Sequence, residues 1–323
     1  MLSTFIQKQL KDIRKENSLE SADALKLTLV NKYRRIREDL IRGDFSRSIY
    51  GNRSGFLSQL AAEDVLFLNL RYEAHNLAKA ALVDAANGSA IDDLRANLIV
   101  SCRMGLLERA AIAPFKHEVV PFESALSLAL GDETGFRACF EGISVPLPED
   151  WLGDTSVAVF SDAMLGLEGA VSTAAASEII TRRLAIENSP FSKMDQALTE
   201  YLQALLADNA TRAQLALEQV ISLYRRSQWV MHRMPTNKYI PLFVIGLHRL
   251  GLRHLSSPAS LEAPDISGWL SWVNAFGSLP TACELAKFPS EIGFLNEMIR
   301  DPIPAQRELR ARLNRAWSQT AVH

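Results

Sequence analysis

The chain has 323 residues, of which 48% are hydrophobic and 22% charged, and its formal net charge is −2. Such a composition excludes an intrinsically disordered chain, a collagen-like repeat and a disulfide-stapled miniprotein. The length leaves room for two or three packing units. The near-zero charge averages over a strong pattern: +5 in residues 1–60, −2 in 61–120, −10 in 121–210, +6 in 211–260 and −1 in 261–323.

In chain order, Leu2, Phe5, Ile6, Gln9, Leu10 and Ile13 trace one helical stripe. Leu25, Leu29, Tyr33, Ile36, Leu40 and Ile41 trace a second, with Arg34, Arg35, Arg37 and Glu38 on the remaining face. The break at Asn17-Ser18 predicts an antiparallel helix pair. Gly43 to Gly55 reads as a loop. At its start Arg42-Gly43-Asp44 spells an integrin-type tripeptide but fits a helix terminus far better. Two longer helices, 58–86 and 90–112, are separated by the stop signal Asn87-Gly88. Pro114 and Pro121 bracket a connector, which places an N-terminal helical bundle in residues 1–116 and a larger, solenoid-like helical unit in 117–323.

Shorter helices are predicted over 122–130, 133–140, 155–166, 169–187, 193–208, 211–232, 238–250, 265–276, 281–287, 290–299 and 304–319. Ser192-Lys-Met-Asp195, Thr211-Arg-Ala-Gln214 and Thr281-Ala-Cys-Glu284 fit or approximate the capping box. Gly131, Gly251 and Pro289 mark stops. The best strand candidate, Ser156 to Phe160, is short and reads equally well as a buried helix turn. The expected fold is all-α, built of antiparallel helix pairs without a consensus repeat.

Cys102, Cys139 and Cys283 are far apart and form no CxxC pair, so they read as reduced, buried thiols. Charged residues from Lys8 to Glu16 precede any apolar h-region, so no signal peptide is expected. The longest uncharged run, Ile266 to Cys283, is too polar and broken to span a bilayer. These features predict a cytoplasmic protein that does not engage a membrane. No zincin, Walker, dinucleotide-binding, nucleophile-elbow or EF-hand motif is present, and Gly51-Asn-Arg-Ser-Gly55 lacks the strand before it and the Lys-Ser/Thr after it that a phosphate loop needs.

The histidines His75, His117, His232, His248, His254 and His323 do not share a helix face at i, i+4 spacing; no metal or other cofactor is expected. Arg225-Arg226-Ser-Gln-Trp229 could stack on bases. The preferred reading is that Leu223, Tyr224 and Trp229 face the core while the basic stretch pairs with the acidic segment before it, so nucleic acid is not the expected partner.

The acidic segment is the most informative feature. Asp132, Glu133, Glu141, Glu149, Asp150, Asp154, Asp162 and Glu168 fall within 37 residues, with Arg137 as the one basic residue among them. They are spread over helix starts and loops, and show no paired arrangement that would chelate a cation. Some favour helix N-termini through the macrodipole. The set as a whole predicts a negative, partner-binding surface that would attract a basic cleft.

Three passages carry a family resemblance. Phe122-Glu-Ser-Ala-Leu-Ser-Leu-Ala-Leu-Gly-Asp132, followed by Phe136 and Val145-Pro146, is the first. Leu215-Ala-Leu-Glu-Gln-Val-Ile221 with Tyr224-Arg-Arg-Ser-Gln-Trp229 is the second, and the apolar run Pro241 to Leu252 is the third. Together, from about Phe122 to Pro264, they resemble the immunity protein 49 family of bacterial polymorphic-toxin systems. Ser256-Ser-Pro-Ala departs from the Ser-x-Tyr-Leu-Pro ending of that pattern, and the first 110 residues have no counterpart in it. The resemblance implies an all-α, non-enzymatic protein that binds a cognate toxin and blocks it by occlusion, with no catalytic residues to carry over. The alternative is a helical scaffold or regulator that holds a peptide or partner helix in a groove. An enzyme site assembled from distant helices, with His232 or His248 as a metal ligand, is a third reading.

Overall fold

The computed structural model describes residues 4–16, 20–44, 54–111, 120–143, 155–186, 192–227, 230–231, 235–262, 269–277 and 284–320. Among these the regular elements are α-helices and short 3-10 turns, and there is no strand. The helices are α1 (Thr4–Glu16), α2 (Ala22–Arg42), α3 (Ser54–Leu57), α4 (Ala62–Phe67), α5 (Leu70–Ala86), α6 (Ile91–Ala111), α7 (Val120–Leu130) and α8 (Glu133–Ala138). They continue as α9 (Thr155–Leu167), α10 (Thr173–Ile186), α11 (Lys193–Leu206), α12 (Ala210–Leu223), α13 (Leu242–His254), α14 (Trp269–Gly277), α15 (Phe294–Arg300) and α16 (Pro302–Thr320). The strand candidate therefore lies in α9, whose residues from Val157 to Gly166 are buried on all sides.

The helices gather into two compact units, and both are discontinuous in sequence. One comprises Leu10–Phe115 with Ala282–His323; the other comprises Met1–Gln9 with Lys116–Thr281. One boundary falls between Phe115 and Lys116, and residues 282–323 group with Leu10–Phe115 rather than with the rest of 117–323. They return to the first. The reason lies in α16, whose Ala305, Leu309, Leu313 and Ala316 form a buried stripe at helical spacing. That stripe joins the core made by Leu29, Tyr33, Leu66, Phe67, Leu70, Leu77, Val100, Met104 and Leu107.

Polar contacts fix the same arrangement. Arg103 of α6, buried, donates to the carbonyls of Ile299 at 2.8 Å and Arg300 at 3.0 Å, so a cation satisfies the open end of α15. Arg312 of α16 donates to Asp64 of α4 at 2.8 Å. Arg34 of α2 grips Glu291 through two nitrogens, at 3.2 and 2.6 Å. The tripeptide Arg42-Gly43-Asp44 is the end of α2: Gly43 takes φ 66° and its N–H returns to the carbonyls of Asp39 and Leu40.

In the second unit α7 lies against α13, α9 against α10 and α11, and α11 against α12. Gly246 of α13 touches the backbone of α7, since a Cβ there would meet Ala125 O at 2.0 Å. Arg249, one turn on, donates to the carbonyls of Leu128 and Ala129 at 2.8 and 3.1 Å and closes the C-terminal end of α7. Gly131 ends α7 with φ 70°, as predicted, whereas Gly251 lies inside α13. That glycine is small because Leu261 and the Tyr201 hydroxyl crowd its Cα, not because the helix stops there. Trp272 of α14 is fully buried and donates its indole N–H to Gln9 at 2.6 Å.

Of the three predicted capping boxes, the one at Ser192 and Asp195 forms in full. Helix α12 is instead capped by Asn209, which accepts from the Arg212 N–H, two residues ahead of the predicted cap at Thr211. Residues 284–289 are irregular where a helix over 281–287 was predicted. Cys102 and Cys139 are buried free thiols, as expected; Cys283, the Asn17-Ser18 break and most of the 43–55 loop lie outside the described residues.

Candidate functional site

The acidic segment divides into buried, paired and undescribed residues. Asp132 is buried at the N-cap of α8, where its Oδ1 accepts from the Gly135 N–H at 3.0 Å. Gly135 is required there, because a Cβ would sit 2.1 Å from Asp132 Oδ2. Asp162 is 1% exposed and accepts from Arg183 Nε at 3.0 Å and Nη2 at 2.8 Å, linking α9 to α10. These two carboxylates are therefore corrected from partner-facing residues to structural ones. Both are acidic because the fold needs an acceptor beneath a helix end or a counter-ion in the core. Glu141 is half-buried. Glu149, Asp150 and Asp154 lie outside the described residues.

Glu133 and Glu168 meet the basic segment. Arg253, in the last turn of α13, donates to Glu133 at 3.1 and 3.3 Å and lies 3.4 Å from Glu168. Its guanidinium also covers the Phe136 ring at 4.8 Å. Arg137 closes the near side, donating to Glu133 at 3.1 Å one helical turn away. His254 Nε2 stands 3.0 Å from Glu168. Burial alone would raise the Glu168 carboxyl, but the adjoining His254 imidazole and the Arg253 charge outweigh it and hold that carboxyl below the usual range. The result is a chain Arg137–Glu133–Arg253–Glu168–His254, in which Glu133 lies between two guanidinium groups and Glu168 between a guanidinium and an imidazole.

Sequence patterning anticipated that the basic stretch after residue 210 would pair with the acidic segment, and Arg253 does so. Arg212 likewise pairs with Glu200. It did not single out Arg253 and His254 as the residues that organise this cluster; their place in the last turn of a helix, where cations are favoured, is the one signal that pointed to them. Tyr224 is buried and Leu223 half-buried, as read, while Arg225 and Arg226 are exposed; Trp229 lies outside the described residues.

Among the described residues no group of three or more His, Cys, Asp and Glu side chains is placed to hold a metal ion. Among the same residues no helix is long and apolar enough to cross a membrane. Comparison with protein-family models, curated proteins and solved structures finds no match for this chain.

Proposed function

We propose that the protein neutralises a cognate bacterial toxin by binding and occluding it, without catalysis, in the manner of the immunity protein 49 family that residues 122–264 resemble. The observation that carries this reading is the ordered succession of three motifs, all of which fall inside one compact unit. Two of them, on α7 and α13, lie face to face and are locked by the Gly246–Ala125 approach.

The contact surface in this proposal is acidic and lies along the segment that holds Glu133, Glu141, Glu149, Asp150 and Asp154. A toxin whose target is nucleic acid or another polyanion would present a basic cleft to it. Co-expression with the protein encoded in the adjacent reading frame is the direct test. Rescue of growth and a one-to-one complex on gel filtration are the expected results; persistent killing would sink the proposal.

A further inference from the structure

The turn between α5 and α6 carries a feature that toxin binding does not use. Asn87 is the one asparagine of the chain that glycine follows, in the pair that also ends α5. Residues 87–90 are all exposed. Other asparagines are occupied in bracing the backbone. Asn69 and Asn97 donate to carbonyls one turn back, Asn209 caps α12, Asn237 accepts from the Phe243 N–H, and Asn296 holds both the N–H and the carbonyl of Phe288. The Asn87 side chain makes no hydrogen bond among the described residues.

The carbonyl carbon of an asparagine side chain is an electrophile close in sequence to the next backbone nitrogen, and the following side chain is what ordinarily obstructs their meeting. Gly88 has none, and even a Cβ placed there would meet nothing within 4 Å, so the peptide link has room to swing. With Asn87 at φ −87° and ψ 0°, bringing the Gly88 nitrogen onto Asn87 Cγ requires rotation about the Asn87 Cα–C bond. That rotation gives up the bond from the Gly88 N–H to the Ala85 carbonyl, at 3.2 Å, and the one from the Ser89 N–H to the Asp84 carbonyl, at 3.0 Å. Both lie at an exposed helix end, where local opening costs little.

We infer that Asn87 is a site of spontaneous covalent modification through a cyclic imide. The Gly88 nitrogen adds to Asn87 Cγ, the bond from Cγ to the side-chain nitrogen breaks, and the proton lost from the Gly88 nitrogen leaves on the departing ammonia. Water then opens the ring. Attack at Cγ gives aspartate with the main chain restored, and attack at the Asn87 main-chain carbonyl carbon gives isoaspartate, whose main chain runs through Cβ and Cγ. Nothing is oxidised or reduced. Either product sets a new carboxylate at the C-terminal end of α5, where the helix dipole disfavours it. The isoaspartyl form also lengthens the link between α5 and α6 by one carbon.

Incubating the full-length protein beside a synthetic peptide of residues Leu82–Asp92 in one neutral buffer, with peptide mapping by mass spectrometry over time, tests this. The expected result is a gain of about 1 Da at Asn87, divided between aspartyl and isoaspartyl products that separate on chromatography, at a rate in the folded protein within roughly tenfold of that in the peptide. Asn69, Asn97, Asn209, Asn237 and Asn296 keep their mass over the same period. A folded-state rate more than about tenfold below that of the peptide, a product without isoaspartate, or conversion of the braced asparagines as fast as Asn87 would each overturn the assignment. None of these results bears on toxin neutralisation, which co-expression tests by itself.

Discussion

Replacing Gly246 with alanine isolates the contact on which the packing of α7 against α13 depends. The new Cβ would lie 2.0 Å from Ala125 O, 2.5 Å from its carbonyl carbon and 2.6 Å from its Cα, well inside the 3.0 Å that real Cβ contacts essentially never undercut. All three atoms are backbone, so no side chain can turn away and the helices must separate. Separation also lengthens the two Arg249 bonds to the end of α7 and opens the Phe122–Phe243 ring contact. Overpacking with flexible neighbours costs about 1–3 kcal/mol, and a backbone collision belongs at or above the top of that range, so a loss of about 3 kcal/mol is expected. Helix propensity works in the other direction, since alanine in a free helix interior gains about 1 kcal/mol over glycine. The two effects differ in sign, which makes the outcome decisive. Urea unfolding followed by circular dichroism measures it, with Gly251→Ala as the comparison, because there the obstructing atoms are the ends of the Leu261 and Tyr201 side chains. Ala125→Gly should not rescue the variant, because the offending atoms are main chain. A neutral or stabilised Gly246→Ala, or rescue by Ala125→Gly, would refute the close approach.

Four further outcomes are expected. Asp162→Asn removes the counter-charge that Arg183 meets in the core and should cost about 3–5 kcal/mol in the same urea assay, whereas a double change to apolar residues should recover much of the loss. Arg103→Met removes two charge-assisted bonds to the end of α15 and should cost about 1.5–3 kcal/mol, read as earlier proteolysis near residues 299–301. Because the folded Glu168 carboxyl is held below its usual range, its contribution is present at neutral pH and lost as pH falls below that range; Glu168→Gln should flatten this part of the stability–pH profile. Deleting residues 282–323 should unfold the Leu10–Phe115 body and spare the other unit, because it removes Arg312 and the α16 stripe from a shared core; a truncated chain with all of its amide protection intact would contradict the division.

What could be read from the sequence was local, and what could not was the pairing of distant segments. Helical period, the Asn87-Gly88 turn and the Ser192–Asp195 capping box are written in residues a few positions apart. The α16 stripe announces a buried face, but nothing in Ala305, Leu309, Leu313 and Ala316 says which core receives it. The glycine at 251 has the same ambiguity: a stop signal and a site of close approach call for the same residue. Asp162 was readable. It stands inside a run from Val157 to Leu165 in which every other residue but Ser161 is apolar, and a carboxylate in that setting requires a buried cation. Arg183 supplies it from the next helix.

The same distinction between local and distant bears on the partner surface. A segment of −10 followed by one of +6 leaves −4 over residues 121–260, and the cancellation is specific rather than diffuse. Arg137 and Arg253 between them pair with Glu133 and Glu168, Arg183 pairs with Asp162, and Asp132 is turned inward beneath α8. In the proposed complex, steering of a basic toxin is assigned to Glu149, Asp150 and Asp154, three acidic residues within six positions of sequence. Reversing those three charges should slow association and reduce its dependence on salt, whereas reversing Glu133 should chiefly loosen Arg253 and Arg137. If Glu133→Lys alters the association rate as strongly as the triple reversal, the partner reads the whole acidic segment and the pairing with Arg253 opens on binding.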